Sequence, residues 1–584
     1  MTATTATTAT AATAATPAMP PASAWPLEDS FLWRPMGNLG ELVQQHAAHH
    51  PQRPALADAQ GRLIDFGELD RRVQQAVAAL QAEGLCTGDV VALCAANSIE
   101  HAVLLIASVS AGLTFAPLPP SATAESLARM LQDCGARVLF VDADGAHAVA
   151  GAAGEGAGAH CIALEPDAPG TAYADWAARA TQPARLVAPE AAQVFDIIYS
   201  SGTTGQPKGI VHTWAMRWPQ IRNAALISYR PDSVTLISTP MYSNTTLVSF
   251  LPAVGGGGLT VLMKKFNAEV FLALSQQHRA THAMLVPVQY RRLLACASFD
   301  DHDLSSYRAK FCTSAPFSAE LKAEVLRRWP GGLVEFYGMT EGGGSCMLLA
   351  HEHPDKLHTV GQPMADHDIR VIDPDGCELP HGAVGEIVGR SPAMMLGYLN
   401  APQASSAAEW HNAQGERFIR TGDLGRFDAQ GFLILMDRSK DLIISGGHNV
   451  FPSDIEAVLC THPAVEEAAV FGVPSEQWGE SPVAAVTLRV GGVVGVGGVD
   501  NISAPALAAW VNERVSKLQR LQHVLLVEAL PRNAIGKVDK RALRAACAVS
   551  VTALSSPVSS PPTAPHASSP SPAARPPPSA VHPS

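Results

Sequence analysis

Short apolar runs alternate with segments of helical periodicity along most of the chain, and this alternation limits the possible folds more than any other feature. "LGELVQQHAAHHP" (39–51) and "LDRRVQQAVAALQAEGL" (69–85) repeat apolar positions at helical spacing. "DVVALCAA" (89–96) is a short apolar run after a turn, and "GARVLFVDAD" (135–144) is a buried-type strand. "IEHAVLLIASVSAGLTFAPL" (99–118) reads as a helix passing into a strand, and "THAMLVPVQYRRLLA" (281–295) as a strand passing into a helix. "GGLTVLMKKF" (257–266) supplies a further strand. Strands alternating with helices imply an α/β fold of mostly parallel sheets flanked by helices.

At "RFDAQGFLILMDRSKD" (426–441) the pattern changes to a Gly-turned hairpin that ends in charge. A chain of 584 residues exceeds one compact domain. We therefore expect a large N-terminal domain over 25–437 and a small, mobile α+β domain over 438–548. The flanking stretches 1–24 and 549–584 are rich in Ala, Thr, Pro and Ser, and are expected to be disordered because they bury too little apolar surface to offset ordering entropy. The first has no basic start or Leu-rich core, which argues against a signal peptide. Net charge is −12, which argues against nonspecific binding to nucleic acid. Ten scattered cysteines without a C-x-x-C pair read as reduced core thiols of a cytoplasmic protein. No uninterrupted apolar run is long enough for a transmembrane helix.

After the apolar residues Val194, Phe195, Ile197 and Ile198 comes "YSSGTTGQPKG" (199–209). A loop of small hydroxyls and glycines after a strand can aim several N–H and O–H groups at one anion, and its lysine adds a positive charge. Phosphate is the natural guest. A Walker A loop does not fit, because Pro207 precedes Lys208 and Gly209 follows it, leaving no hydroxyl there for a metal.

This loop resembles the phosphate loop of the adenylate-forming superfamily of acyl-CoA and aryl-CoA ligases, luciferases and nonribosomal adenylation domains. Five further stretches occur in that family's order: "YGMTE" (337–341), "TGDLG" (421–425), "DRSKD" (437–441), "GGHNVFPSDIE" (446–456) and "PRNAIGKVDK" (531–540). The resemblance implies two half-reactions. A carboxylate attacks the α-phosphate of ATP to give acyl-AMP and pyrophosphate, and a thiol, usually coenzyme A, then displaces AMP.

The resemblance also implies roles for particular residues. Ser200, Ser201, Gly202, Thr203, Thr204, Gly205 and Lys208 cradle the departing phosphates. Ser314, Ala315 and Pro316 border the adenine, with Tyr337 and Gly338 beside it. Thr340 places its hydroxyl on a phosphate, and Glu341 is the Mg2+ ligand. Asp423 takes the ribose hydroxyls, with Arg438 adding a donor. Lys537 bridges the acid carboxylate and the α-phosphate, two anions that must touch. Lys440 is the hinge about which the C-terminal domain turns. Ser445, Gly446 and Gly447 line the pantetheine path, and Trp478 covers the CoA adenine.

For the acid itself, "PMYSNTTLVSF" (240–250) places Ser243 where family members often carry His. The pocket candidates are Met241, Tyr242, Asn244, Thr245, Phe317, Gly342, Gly343 and Gly344, all neutral, and the three glycines suggest room for an acyl group. A neutral, mainly apolar acid follows, aromatic or of medium to long chain. Arg217 is the single cationic candidate for a second carboxylate, set against a packed arginine on the helix after the loop. Two other readings stand beside the CoA ligase: transfer of the acyl group to a carrier protein or to oxidation, and a nucleotide-binding relative without turnover. Gly446 and Gly447 favour CoA, and the presence of Lys537 and Glu341 argues against the inactive relative. The partners implied are the acid, ATP and CoA, with the protein acting as a monomer or homodimer.

Overall fold

The computed structural model describes residues 31, 34–150, 158–200, 207–222, 229–438, 441–445, 448–475, 478–489, 502–532 and 537–554. Two large sheets dominate the N-terminal part. In the eight-stranded sheet, Val90–Cys94 pairs in parallel with Thr114–Leu118 and Val138–Val141. These strands are buried along nearly their whole length, as parallel strands covered on both faces must be. Val194–Ser200 joins them in parallel at Phe115 and turns back antiparallel through Lys208–Thr213. Ser201, Gly202, Thr203, Thr204 and Gly205 connect these two strands and lie outside the described residues.

The nine-stranded sheet pairs Leu259–Leu262, Val234–Ile237, His282–Leu285, Ala309–Cys312 and Gly332–Tyr337 in parallel, with Cys346–Leu349 antiparallel beside the last. The helix Ile99–Ser110 is buried at every position except Glu100 and shares one apolar cluster with Val91 and Phe115 of one sheet and Ile237 and Leu262 of the other. A helix apolar on all sides suits this position between two sheets. Each fully buried Leu or Ile there contributes about 1.5–3 kcal/mol. Asn97 ties the sheets together: its amide donates to the carbonyls of Thr239 and Met263, and its oxygen accepts from the Met241 amide.

A third sheet is antiparallel and carries the expected hairpin, Arg417–Phe427 with Leu433–Arg438, turned at Gly431 (φ +79°). Beyond it, Ile443–Ser445, Val465–Ser475 and Gly479–Leu488 form an antiparallel sheet, with His523–Leu526 added in parallel. The two apolar clusters of this last part contain no residue before Ile443, so it has a core of its own. Its final helix, Lys540–Leu554, runs six residues past the 548 boundary expected from composition. "AVSVTAL" (548–554) contains neither Gly nor Pro to stop it. All ten cysteines are free thiols, and among the described residues no helix is long and apolar enough to cross a membrane.

Candidate active site

The motif residues converge on one cleft at the carboxyl ends of the parallel strands, where open α/β sheets bind ligands. The cleft encloses about 2910 Å³, and its wall includes Ser200, Lys208, Ser314, Ala315, Pro316, Tyr337, Gly338, Thr340, Glu341, Asp423, Arg438 and Lys537. Ser314 follows one of two adjacent parallel strands and Tyr337 ends the other, and Asp423 and Arg438 face each other across the hairpin. Lys537 reaches the same cleft from the C-terminal part.

Asp423 accepts at both carboxylate oxygens, from the Tyr337 hydroxyl at 2.9 Å and from Arg438 Nε at 2.8 Å. Burial, and then the Asp423 charge, push the Tyr337 phenol well above its usual range, so it remains a neutral donor. Burial works against the charge on Arg438, but Asp423 outweighs it and the guanidinium pKa is raised. Ser314 sits at φ +81°, a strained conformation that costs a non-glycine residue about 1–3 kcal/mol. Its hydroxyl meets that of Thr245 at 2.5 Å, which helps to hold it there.

Glu341 accepts from the Tyr398 hydroxyl at 2.8 Å, and Lys208 Nζ lies 4.9 Å over the Tyr398 ring. Burial and the neighbouring Glu341 carboxylate keep that phenol protonated. Tyr398 is a cleft residue that sequence reading missed. It lies 57 positions from its partner, and no motif marks it.

The proposed thiol side is less fully placed. Gly446, Gly447 and Lys440 lie outside the described residues. Ser445 is buried at a strand end and pairs with Gly479, next to the 40 % exposed Trp478. Trp478 is not part of the cleft wall.

The acid pocket differs from expectation. Met241 is buried in the core between the two large sheets, and Phe317 stacks on Tyr290 at 5.2 Å; neither lines the cleft. Tyr242 is also absent from the cleft wall, its phenol being hydrogen-bonded to Ser121. Gly342 lines the cleft, whereas Gly343 and Gly344 do not. A Cβ on Gly342 would meet the Ala393 carbonyl at 1.7 Å, and one on Gly343 would meet Ile419 Cβ at 2.6 Å. Gly344, at φ +86°, is pressed against Ile369 and Gly389. These glycines serve close packing of chain on chain.

Asn244, Thr245 and Val248, on the helix Asn244–Gly256, do line the cleft. Opposite them is an apolar wall that pairing register builds. Met284 pairs with Phe311, Phe311 with Val334, and Val334 with Leu349. Paired residues share a face, so these four form one row, and Phe336 with Met347 forms the next. All six line the cleft. The sequence does not mark this face, since "CMLL" (346–349) is apolar throughout; only the pairing brings the strands together.

Arg217 is a packed arginine. It is 1 % exposed, and two of its nitrogens meet the buried Asp196 carboxylate, Nε at 2.9 Å and Nη2 at 2.8 Å. Nη1 donates to Asn244 Oδ1 at 2.7 Å and to Gln220. His212 Nδ1 lies 2.6 Å from Asp196 Oδ1 and 2.9 Å from Arg217 Nη2, while His212 Nε2 donates to the Thr340 carbonyl at 2.8 Å. Despite burial, Arg217 and His212 hold the Asp196 carboxyl below its usual range. With its charge answered in this way, Arg217 is not an isolated cation awaiting a second carboxylate.

Residues 43–399 match the family model described as AMP-binding enzyme, and residues 454–537 match that of the AMP-binding enzyme C-terminal domain. The chain belongs to the AMP-binding enzyme family. Within this family it is 32% identical to 4-coumarate–CoA ligase 5 of Oryza sativa subsp. japonica over 536 residues, covering 88% of this chain and 95% of the relative. It is 31% identical to the medium/long-chain-fatty-acid–CoA ligase FadD8 of Mycobacterium tuberculosis, covering 87% and 89%. Among solved structures, ATP-bound MatB from Rhodopseudomonas palustris superposes with a TM-score of 0.77 at 30% identity, covering 87% of this chain and 99% of that one.

Proposed function

We propose that this AMP-binding enzyme joins a neutral, mainly apolar carboxylic acid, aromatic or of medium to long chain, to coenzyme A. Acid–CoA ligation is the activity for which relatives of this chain are named. The observation that carries our reading is the junction, in one cleft, of a polar end (Tyr337, Asp423, Arg438, Glu341, Lys537) with an uncharged row (Met284, Phe311, Val334, Leu349).

In this reading a carboxylate oxygen attacks the α-phosphorus, and the bond to the β,γ-phosphates breaks, its electron pair leaving with pyrophosphate. Asp423, held by Tyr337 and Arg438, takes the ribose. Lys537 bridges the two anions and stabilises charge as they meet. The CoA thiolate then attacks the acyl carbon, and AMP leaves. Ser200, Ser201, Gly202, Thr203, Thr204, Gly205 and Lys208 serve the phosphates, while Ser445, Gly446, Gly447 and Trp478 serve CoA.

Mg2+ suits this donor set. Among the described residues there is no cluster of three or more His, Cys, Asp or Glu that could enclose a metal. Glu341, one carboxylate of the cleft wall, suits an ion that takes its other ligands from phosphates and water. When bound, the ion neutralises phosphate charge. The expected division at residue 438, a cytoplasmic location and a monomer or homodimer complete the proposal.

Pyrophosphate release with Mg2+ and ATP tests this reading across benzoates, hydroxycinnamates, C6–C16 fatty acids, dicarboxylates and amino acids, each with and without CoA. We expect release with apolar monoacids that turns over only when CoA is present. Turnover indifferent to CoA would assign another acceptor. A preference for dicarboxylates would overturn the reading of Arg217 and the apolar row.

A further inference from the structure

The Asp196–His212–Arg217 cluster is an expensive way to fill a core. All three side chains are essentially inaccessible to water. Buried ion pairs of this kind are often no more stabilising than apolar residues of the same volume. What the cluster does achieve is connection. Asp196 and His212 lie on the two strands that flank the phosphate loop, and Arg217 lies on the following helix. From there one arm reaches Thr340, next to Glu341, and the other reaches Asn244 on the helix beside the apolar row.

We propose that His212 and Arg217 are positioning residues that couple the acid pocket to the turn holding Thr340 and Glu341. A guanidinium can only donate, so its contact fixes Asn244 Oδ1 toward Arg217 and turns the Nδ2 amide away from it. Asn244 thereby offers a donor, at the cleft wall, to a carboxylate oxygen of the acid. On the other arm, His212 Nε2 holds the Thr340 carbonyl and so fixes the peptide plane from which Glu341 departs. The Glu341 carbonyl is held in turn by the Met395 amide. Asp196 orients both arms through its two oxygens. The acid and the turn that carries Glu341 thus share one rigid support.

The inference rests on the proposed roles of Glu341 and of the acid pocket, and its test separates the two. The triple variant Asp196→Leu, His212→Leu, Arg217→Met removes all the buried charges together, leaving none orphaned. We expect it to fold with a melting temperature near that of the parent. The KM for the acid should rise about tenfold, the loss of roughly one hydrogen bond to a charged group. The gain in ATP affinity on adding Mg2+, read by calorimetry without any acid, should shrink by several-fold. A folded variant with parental KM and parental Mg2+ dependence overturns the proposal and leaves the cluster a structural one. If the parent protein turns over no acid, the function reading fails, but the calorimetric comparison still decides the coupling to the turn. Asn244→Asp guards against misfolding of the triple variant. It keeps an acceptor for Arg217 but replaces the donor facing the acid with a like charge. Unchanged KM for the acid in that variant also overturns the proposal.

Discussion

At the scale of single residues, Lys537 carries the sharpest assignment. An exposed lysine near a chain end is ordinarily a solvated charge; here it shares a cleft with Glu341, Asp423 and Arg438. Lys537→Ala should lower acyl-AMP formation by two orders of magnitude or more, since a charge aimed at a transition state in a partly closed site is worth about 10²–10³ in rate. Thioesterification of supplied acyl-AMP should be largely spared. Equal losses in the two half-reactions, each measured in a single turnover, would remove the lysine from its assigned role. The motif residues were legible because the resemblance fixes them position by position. Their supports were not. Tyr398 serves Glu341 from 57 positions away, and Tyr337 and Asp423 are 86 apart, so only folding discloses these pairs. Asp196 is a single acid within an apolar run, and nothing local marks the arginine 21 positions later that answers it.

At the scale of elements, the strands and helices were readable from period, and their pairing was not. "VLMKKF" and "THAMLV" each announce a strand, yet the apolar row exists only because register sets Met284, Phe311, Val334 and Leu349 side by side. The glycines at 342–344 show the same limit: Gly342 lines the cleft, while the Cβ positions of Gly343 and Gly344 are filled by Ile419 and Ile369, which only the fold brings there. The row makes a prediction of its own. Val334 lies at its centre, 7 % exposed, and Val334→Trp should fill the apolar end of the cleft while leaving the polar end intact. Activity on the longest or bulkiest acids should fall first, by tenfold or more given about 1–3 kcal/mol for overpacking a formed apolar site. The KM for ATP should hold. A uniform loss across acid sizes, in a protein of parental melting temperature, would place the acyl group elsewhere.

At the scale of the whole molecule, the Glu467 carboxylate is one of the groups that join the two parts of the chain, beside Ser453, which donates to Asp437 and to the Met436 carbonyl. Glu467, on the strand Val465–Ser475, accepts from Arg291 of the helix Pro287–Leu294 at 2.5 Å and from Arg532 at 2.7 Å. Arg532 lies five positions before Lys537, so this one bond network links the position of the C-terminal part to the position of its lysine. In the proposed reaction the lysine withdraws before the thiol arrives, and a latch suited to that task must be weak. Partly exposed ion pairs are weak, at about 0–1 kcal/mol, and are screened by salt. A shift of about 1 kcal/mol changes a two-state ratio roughly fivefold. Arg291→Ala or Glu467→Gln should therefore slow acyl-AMP formation by about two- to fivefold, within that range of energies. Thioesterification, which needs the latch open, should be unchanged or faster. Salt supplies the control. Raising ionic strength should slow the first half-reaction of the parent and have little further effect on Arg291→Ala, because the interaction that salt weakens is already absent. Were both proteins to respond to salt alike, Glu467 would be an ordinary surface carboxylate and the orientation of Lys537 would be set by other contacts.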